Sequence, residues 1–366
     1  MPLDLPDFPW DALAAARSRA TAHPDGIVDL AVGSPVDPTP ALIREALEAA
    51  SNAPGYPTAA GSRVLRAAIV DWYDRRHGVT LGEANVMPTV GSKEFIALLP
   101  LLLGLHSGDT VVQPTLAYPS YAVGAALVGA SVTVSDEPDE WPDDTKLVWL
   151  NSPSNPDGRV LSIEFLARAV ARARELGAVI ANDECYTELN WRGSGPTPTI
   201  LDERVIGDSR RLVLSVSSLS KSSNLAGYRA GFVAGCGDLI AEFVQARKHL
   251  GLAPPAPIQA AVAVALGDDA HVDAQREVYR ARRMRLQAAF EAAGFRVDSS
   301  DAGLYLWLTR GDDAWATIDA LAELGILAAP GTFYGDAGTH HVRVAITTTD
   351  ERVSAAEVRL RALSNV

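Results

Sequence analysis

Between Thr39 and Gly235 the chain alternates helical patterns with short β-rich runs that are apolar on both faces, and this alternation constrains the fold more than any other feature. A strand buried on both faces reads as an unbroken apolar run, and joining such strands through crossover helices makes a parallel sheet covered on each side. The runs predict strands at 110–113, 131–134, 146–150, 178–182, 211–216 and 230–234. Thr39-Pro40 reads as an N-cap followed by proline at the first helical position, opening a helix to Ala50, while Ser62 and Ser162 are placed to cap the helices after them. Beyond Gly235 the pattern changes to helices at 238–250 and 272–293, alternating strands at 295–298, 304–308 and 341–346, and a closing helix at 350–363. At 366 residues there is room for about two domains. The expected division is a large α/β domain with a mainly parallel sheet flanked by helices over 39–245, and a smaller α+β domain formed by 1–38 together with 246–366.

Charge and cysteine usage narrow the partners. Asp and Glu number 45 against 32 Lys and Arg, a net charge of −13 with no long run of either sign. That argues against nucleic acid or an anionic membrane as the main partner, so an anionic ligand requires a local site. The opening MPLDLPDFPW lacks the basic and apolar regions of a signal peptide, and the longest apolar stretch, 95–105, is about half a bilayer span. Two cysteines, Cys185 and Cys236, with no pair at zinc-finger spacing point to a cytoplasmic protein without a disulfide framework or metal site. His340 and His341 point to opposite faces of a strand and do not chelate together. The sequence has no GxSxG elbow, no Walker loop and no complete GxGxxG.

Lysine is scarce, with only Lys93, Lys146, Lys221 and Lys248. Lys221 stands in SVSSLSKSSNLAGYRAGF, just after an apolar strand, among hydroxyl residues and eight positions before Arg229. Hydroxyl donors and a neighbouring cation suit Schiff-base chemistry with a phosphate nearby; a solvated loop lysine fits the same residues in isolation. In NDECYTEL, Asp183 ends a strand, at the sheet edge where ligands of open α/β folds bind, and Tyr186 comes three residues later. An aspartate there can keep a pyridinium nitrogen protonated, whereas alone the motif is a common strand-end turn. NSPSNPDGRV places Asn155 in a turn-rich loop, and VGSKEF puts Gly91 and Ser92 at a helix start where backbone N–H groups attract phosphate or where Ser92 simply caps. In PTLAYPSY, Tyr118 can stack on a planar cofactor, and Tyr118 and Tyr121 equally fit core or turn positions.

Taken in order, Gly55-Tyr56, GSK at 91–93, Tyr118, Asn155, Asp183, Tyr186, the SxSK of 218–221 and Arg229 resemble the fold type I, class I/II aminotransferases across essentially the whole chain. The resemblance implies pyridoxal 5′-phosphate (PLP) attached to Lys221, with Asp183 on the pyridine nitrogen, Asn155 and Tyr186 on the ring oxygen, and Tyr118 stacked on the ring. Ser92, Lys93, Ser218 and Arg229 would hold the phosphate, joined by Tyr56 of the partner subunit in a homodimer with shared active sites. Arg343, in HVRVAIT, matches the arginine that grips the substrate α-carboxylate, and Gly33, in AVGSP, the glycine whose backbone covers it. In isolation Arg343 also fits a solvent-facing position on an alternating strand. Lys221, freed by an incoming amino acid, would then move the α-proton in a ping-pong cycle between amino-acid and 2-oxo-acid substrates.

Longer segments, among them VGSPVDPTP, APGYPTAAG, GSKEFIALLPLLLGL, WLNSPSNPDGRV and GLYLWLTR, resemble the actinobacterial N-succinyldiaminopimelate aminotransferases. That resemblance implies exchange of an amino group between N-succinyl-LL-2,6-diaminopimelate and 2-oxoglutarate, in lysine and diaminopimelate synthesis. Arg63, Arg159 and Lys248 are candidates for remote positive charge toward the succinyl end, and each also fits an ordinary surface role. Phe333 and Tyr334 lie near where the family's small domain closes. Competing readings are a broad aromatic or aspartate-type aminotransferase, a PLP C–S lyase, and a regulatory domain without activity. The last usually carries a DNA-binding module, which the first forty residues do not resemble, and a complete Lys221, Asp183 and Arg343 set argues against it. Cys185, between Asp183 and Tyr186, reads as a buried packing residue.

Overall fold

The computed structural model describes residues 5–193 and 195–363; Met1 to Asp4 of the N-terminal reading lie outside them. A seven-stranded sheet runs, edge to edge, Val86–Val90, Ala230–Gly235, Val213–Ser218, Val179–Asp183, Thr145–Asn151, Thr110–Gln113 and Ser131–Val134. The five strands from 213–218 to 131–134 are parallel, and Ala230–Gly235 is antiparallel to both its neighbours. Alternate residues feed two cores: Val148, Leu150 and Ile180 enter one, Leu147, Trp149 and Val179 the other. This two-sided burial explains why the strands carry no polar alternation.

The helices that cover the sheet are cut by local signals. Ser62 accepts from Leu65 N and Ser162 from Phe165 N, each at 3.2 Å, and Ile163–Leu176 ends at Gly177, whose φ of 66° is the left-handed conformation that stops a helix. Thr39 does not cap. Pro40 occupies the N-cap with ψ 142°, the helix Ala41–Ala49 begins after it, and the Thr39 hydroxyl donates to Asn224 O at 3.2 Å. The strand Val86–Val90 escapes sequence patterning because Pro88 interrupts it; as an edge strand, with one side needing no partner, it tolerates the proline.

A four-stranded antiparallel sheet, Ala329–Pro330, Val342–Ala345, Tyr305–Thr309 and Arg296–Ser299, supports a separate core with the helices Ala14–Thr21, Ala270–Ala292, Ala314–Glu323 and Asp350–Leu360. The N-terminal Val28–Asp29 pairs in parallel with Ile326–Leu327, which ties the two ends of the chain together. The helix Ala256–Leu266 packs instead on Ala41–Ala49 and Arg63–His77, placing Ala261, Val262 and Leu266 in the large-sheet core. We therefore propose that the large domain extends through this helix rather than stopping at 245. No described helix is long and apolar enough to cross a membrane.

Candidate active site

The parallel strands end at one edge of the sheet, and the loops beyond Asn151, Asp183 and Ser218 face a cavity of about 560 Å³. The strand order reverses between Thr110–Gln113 and Thr145–Asn151, the kind of switch point at which open α/β sheets bind ligands. Beyond Asn151 the loop is pinned by that residue's own side chain, which donates to Pro153 O (3.0 Å) and Asp183 O (2.8 Å) and accepts from Asn155 N (2.8 Å). Asn155 is thereby fixed beside Asp183, the last residue of the next strand.

At one end of the cavity the helix Ser92–Leu102 begins beside Ser218, Ser220 and Arg229. Gly91 precedes it with φ 71°, and a Cβ there would sit 2.5 Å from an Arg229 guanidinium nitrogen, so only glycine lets this cation close over the helix start. Ser218 Oγ donates to Ala230 O (3.1 Å) and meets Ser220 Oγ at 2.8 Å, while Arg229 donates to Ala226 O at 3.0 Å. Free N–H groups, hydroxyls and a guanidinium at a helix start are the donor set of a phosphate site. Cys185 joins this end: it packs against the core as its sequence reading has it, and its thiol also donates to Ser92 Oγ at 3.2 Å and lines the cavity. Burial and the neighbouring Asp183 push its pKa well above the usual thiol value, so it is not a ready nucleophile.

Asp183 is buried, accepting from Tyr121 Oη at 3.0 Å and Cys185 N at 3.3 Å. Burial raises its pKa, against the pull of those bonds and of Lys221. Tyr121 is braced by stacking on Trp149, with centroids 4.9 Å apart, and Tyr118 lines the cavity edge-on to Tyr121, burial pushing its phenol up to about 12. Lys221 donates to Gly33 O. A Cβ on Gly33 would lie 2.2 Å from Tyr305 Oη, so close approach is what requires glycine there.

Arg343 is 2% exposed, not solvent-facing. Nη1 donates to Asn155 Oδ1 (2.8 Å) and Nη2 to Ala31 O (2.6 Å), and the guanidinium carbon lies 3.8 Å from the Tyr305 ring centroid and 5.0 Å from that of Tyr334. Its Nε is buried and has no partner among the described residues. Tyr186, which also lines the cavity, meets Tyr305 hydroxyl to hydroxyl at 3.2 Å. The Lys93 ammonium lies over the rings of Phe8 (5.4 Å) and Tyr118 (5.9 Å), and burial, reinforced by Arg229, lowers its pKa.

Of the sequence-predicted residues, Gly33, Ser92, Lys93, Tyr118, Asn155, Asp183, Tyr186, Ser218, Lys221, Arg229 and Arg343 line this one cavity. Tyr56 does not; it is fully exposed. Arg63 pairs with Glu83, Arg159 with Asp157, and Lys248 bonds Gln245, and none of the three lines the cavity, so they do not supply its charge. Phe333 packs on Trp10 and Trp315. Sequence reasoning missed Tyr305, Ser220, Phe8 and Trp10, all on the cavity wall. Ser220 stood within the SxSK signal, and Tyr305 within an alternating strand paired with that of Arg343; Phe8 and Trp10 carried no local signal.

A protonatable-ring cofactor bearing a phosphate fits this donor set: an anion cradle at one end, a buried carboxylate with spare acceptor capacity, and an amine between them. The fold and the cavity define a fold type I, PLP-dependent enzyme. The chain belongs to the class I and II aminotransferases, whose family model matches residues 25–360. It is 53% identical to the 4-dedimethylamino-4-oxo-anhydrotetracycline transaminase OxyQ of Streptomyces rimosus, over 98% of this chain and 99% of that protein. A probable aminotransferase of Mycobacterium tuberculosis is 54% identical over 97% of this chain and 85% of its own length. Among solved structures, the N-succinyldiaminopimelate aminotransferase of Mycobacterium tuberculosis superposes with a TM-score of 0.86 at 29% identity, covering 97% of this chain and 96% of the other. The chain is thus an enzyme, a transaminase.

Proposed function

We propose that this aminotransferase exchanges an amino group between N-succinyl-LL-2,6-diaminopimelate and 2-oxoglutarate, giving N-succinyl-2-amino-6-oxopimelate and glutamate. The observation that carries this reading is that, with Lys221 and Arg229 given to the cofactor, Arg343, Lys93 and Arg17 still line the cavity. Each proposed substrate brings more than one carboxylate, and a cavity that desolvates a second cation favours such a ligand over a monoacid. Lys93 stands in the first turn of Ser92–Leu102 with its ammonium over Phe8 and Tyr118 and near enough to Arg229 to feel its charge, so it can serve the phosphate or a second carboxylate. The likeness to the N-succinyldiaminopimelate aminotransferase structure supports the same reading.

When bound, PLP supplies a protonated ring that accepts electrons released at the substrate α-carbon and carries the amino group from donor to acceptor. The chain's own groups do the rest. Arg343 grips the α-carboxylate with a planar fork held by Asn155, Ala31 O and Tyr305. Lys221 anchors the cofactor and moves the α-proton, Asp183 holds the ring nitrogen's proton, Asn155 and Tyr186 hold the ring oxygen, and Ser92, Ser218 and Arg229 hold the phosphate.

A second reading rests on a different observation: Phe8, Trp10 and Tyr118 give the cavity a broad aromatic wall. Such a wall suits a flat ring ketone, and OxyQ is a transaminase of a 4-oxo-anhydrotetracycline. Rapid mixing of the cofactor-loaded enzyme with single amino donors separates the readings. Bleaching of the cofactor colour is expected with succinylated LL-diaminopimelate and glutamate at least about tenfold faster than with aspartate or aromatic amino acids. Fastest reaction with aromatic donors, or turnover of a polycyclic ring ketone with glutamate in place of 2-oxoglutarate, overturns the succinyl assignment. Steady turnover that needs no 2-oxo acid would make the enzyme a lyase instead.

We further propose a homodimer in which Tyr56 of the partner subunit completes the phosphate site; the family resemblance of Gly55-Tyr56 supports this, and the full exposure of Tyr56 leaves it free to reach a second chain. Tyr56→Phe is expected to weaken PLP binding several-fold in a protein that sediments as a dimer; a fully active monomer refutes it.

A further inference from the structure

We propose that Tyr305 is a positioning residue that acts through Tyr186, strengthening the hydrogen bond by which Tyr186 holds the cofactor's ring oxygen. The proposal rests on the assignment of Lys221 and Tyr186 to the cofactor made above. Tyr305 stands in GLYLWLTR without a role assigned to it from the sequence, and three contacts converge on it. Its hydroxyl lies 3.2 Å from Tyr186 Oη, its ring face lies 3.8 Å below the Arg343 guanidinium, and its hydroxyl occupies the space a side chain at Gly33 would need. Ser300 Oγ donates to the backbone carbonyl of Tyr305 at 2.9 Å, and the strand Tyr305–Thr309 pairs with Val342–Ala345, so the phenol is set by the same sheet that sets Arg343.

A phenol has one proton to give. When Tyr186 donates its proton to the ring oxygen, the 3.2 Å contact is satisfied only if Tyr305 is the donor and Tyr186 the acceptor. Donation into Tyr186 polarises its O–H and makes it the stronger donor in turn, the cooperativity expected of a hydrogen-bonded chain in a dry site. The surroundings favour that direction. The groups that bear on the Tyr305 hydroxyl are Arg343, Lys221, Tyr186, Cys185, Tyr118 and Tyr334. Burial and Cys185 oppose ionisation of Tyr305, but the cations Arg343 and Lys221 and the Tyr186 bond outweigh them and bring its pKa below the ordinary tyrosine value. Tyr186, by contrast, is driven well above that value, burial being the main cause. The cations Arg343 and Lys221 thus favour Tyr305 as the donor that stands behind Tyr186.

The consequence is measurable in the resting holoenzyme. A ring oxygen better satisfied by Tyr186 holds the proton it shares with the Lys221 nitrogen less tightly, so the pH midpoint of the bound cofactor's absorbance change reports the Tyr186 bond. Tyr305→Phe removes the hydroxyl and keeps the ring under Arg343, so it is expected to raise that midpoint by roughly 0.4 to 1 pH unit, the size of one hydrogen bond's net contribution, with KM for the amino donor changed less than about threefold. Tyr186→Phe is expected to raise it further, and adding Tyr305→Phe to Tyr186→Phe to leave it where the single variant put it. An unmoved midpoint in Tyr305→Phe, or an equal shift in both backgrounds, overturns the proposal. If Tyr186→Phe itself moves nothing, the assignment of Tyr186 to the ring oxygen is what has failed. Tyr305→Leu, which also strips the ring from the guanidinium, is expected to raise KM by about tenfold or more; a Tyr305→Phe variant with that same KM loss would reduce Tyr305 to a support for Arg343.

Discussion

Lys221→Ala is expected to abolish covalent attachment of the cofactor and to lower turnover by at least roughly 10²–10⁴-fold, the range attributable to one positioned base. Lys221 is the cavity-lining lysine whose charge bears on Asp183; Lys93 lies over Phe8 and Tyr118, and the charge that bears on it is that of Arg229. The variant should fold, because Lys221 is only partly buried and gives up a single hydrogen bond, to Gly33 O. Borohydride reduction with mass spectrometry checks attachment directly: the cofactor's mass should appear on the Lys221 peptide of the parent enzyme and on no peptide of the variant. Added small primary amines should restore part of the proton transfer without restoring the link. Cofactor found on Lys93 or Lys248, or unimpaired turnover, would contradict the assignment.

How much of this site is legible in the sequence depends on whether its residues announce themselves locally. Asp183, Asn155 and Ser218 each end or come just after an apolar strand, and the parallel sheet gathers strand ends at one edge, so finding the strands amounts to finding the site. Gly91 and Ser92 are legible because a glycine before an apolar helix has few other uses. Tyr305 is not, because its importance lies in Arg343 on the paired strand, Gly33 nearly three hundred residues earlier and Tyr186 at the edge of the large sheet. Register between strands is set by tertiary packing and leaves only a period-2 alternation in the sequence. Phe8 and Trp10 are hidden for a similar reason: a short 3₁₀ turn at Pro9–Leu13 places them, and its anchor is the distant Phe333. The substrate-end cations show the converse error. Arg63 and Arg159 are eligible by charge alone, but Arg63 pairs with Glu83 and Arg159 with the buried Asp157, away from the cavity lining.

Asp183→Asn is expected to cost turnover on the order of a hundred- to several-thousand-fold while leaving the cofactor-free protein as stable as the parent or more so. Adjacent carboxylates at the end of one strand make the argument. Glu184, buried on the opposite face, accepts from Asn182 Nδ2 (2.9 Å), Ile200 N (2.7 Å), Thr199 Oγ1 (2.7 Å) and Ser215 Oγ (2.6 Å), so both of its oxygens are fully used inside the protein. Asp183 accepts from Tyr121 and Cys185 N, with the Cys185 thiol also beside it, and lines the cavity with acceptor capacity to spare. Burial raises its pKa above the unfolded value, the folded state therefore binds its proton more tightly, and at neutral pH the ionised group subtracts from stability until a cation arrives. A protonated ring nitrogen is that cation. The amide introduced by Asp183→Asn removes the penalty but cannot hold the charge, and breaking a buried pair is worth roughly 3–5 kcal/mol, which at about 1.36 kcal/mol per tenfold gives the expected loss. Burial raises the Glu184 pKa as well, so its charge alone does not set it apart; Glu184→Gln is expected to lose about 1.5–3 kcal/mol of stability because its new NH2 group would face two donors that had bonded the replaced oxygen, with far less effect on turnover per folded molecule. Thermal melts of the cofactor-free proteins beside kcat of the loaded ones decide it: a destabilised Asp183→Asn that turns over normally would make Asp183 the structural carboxylate of the two.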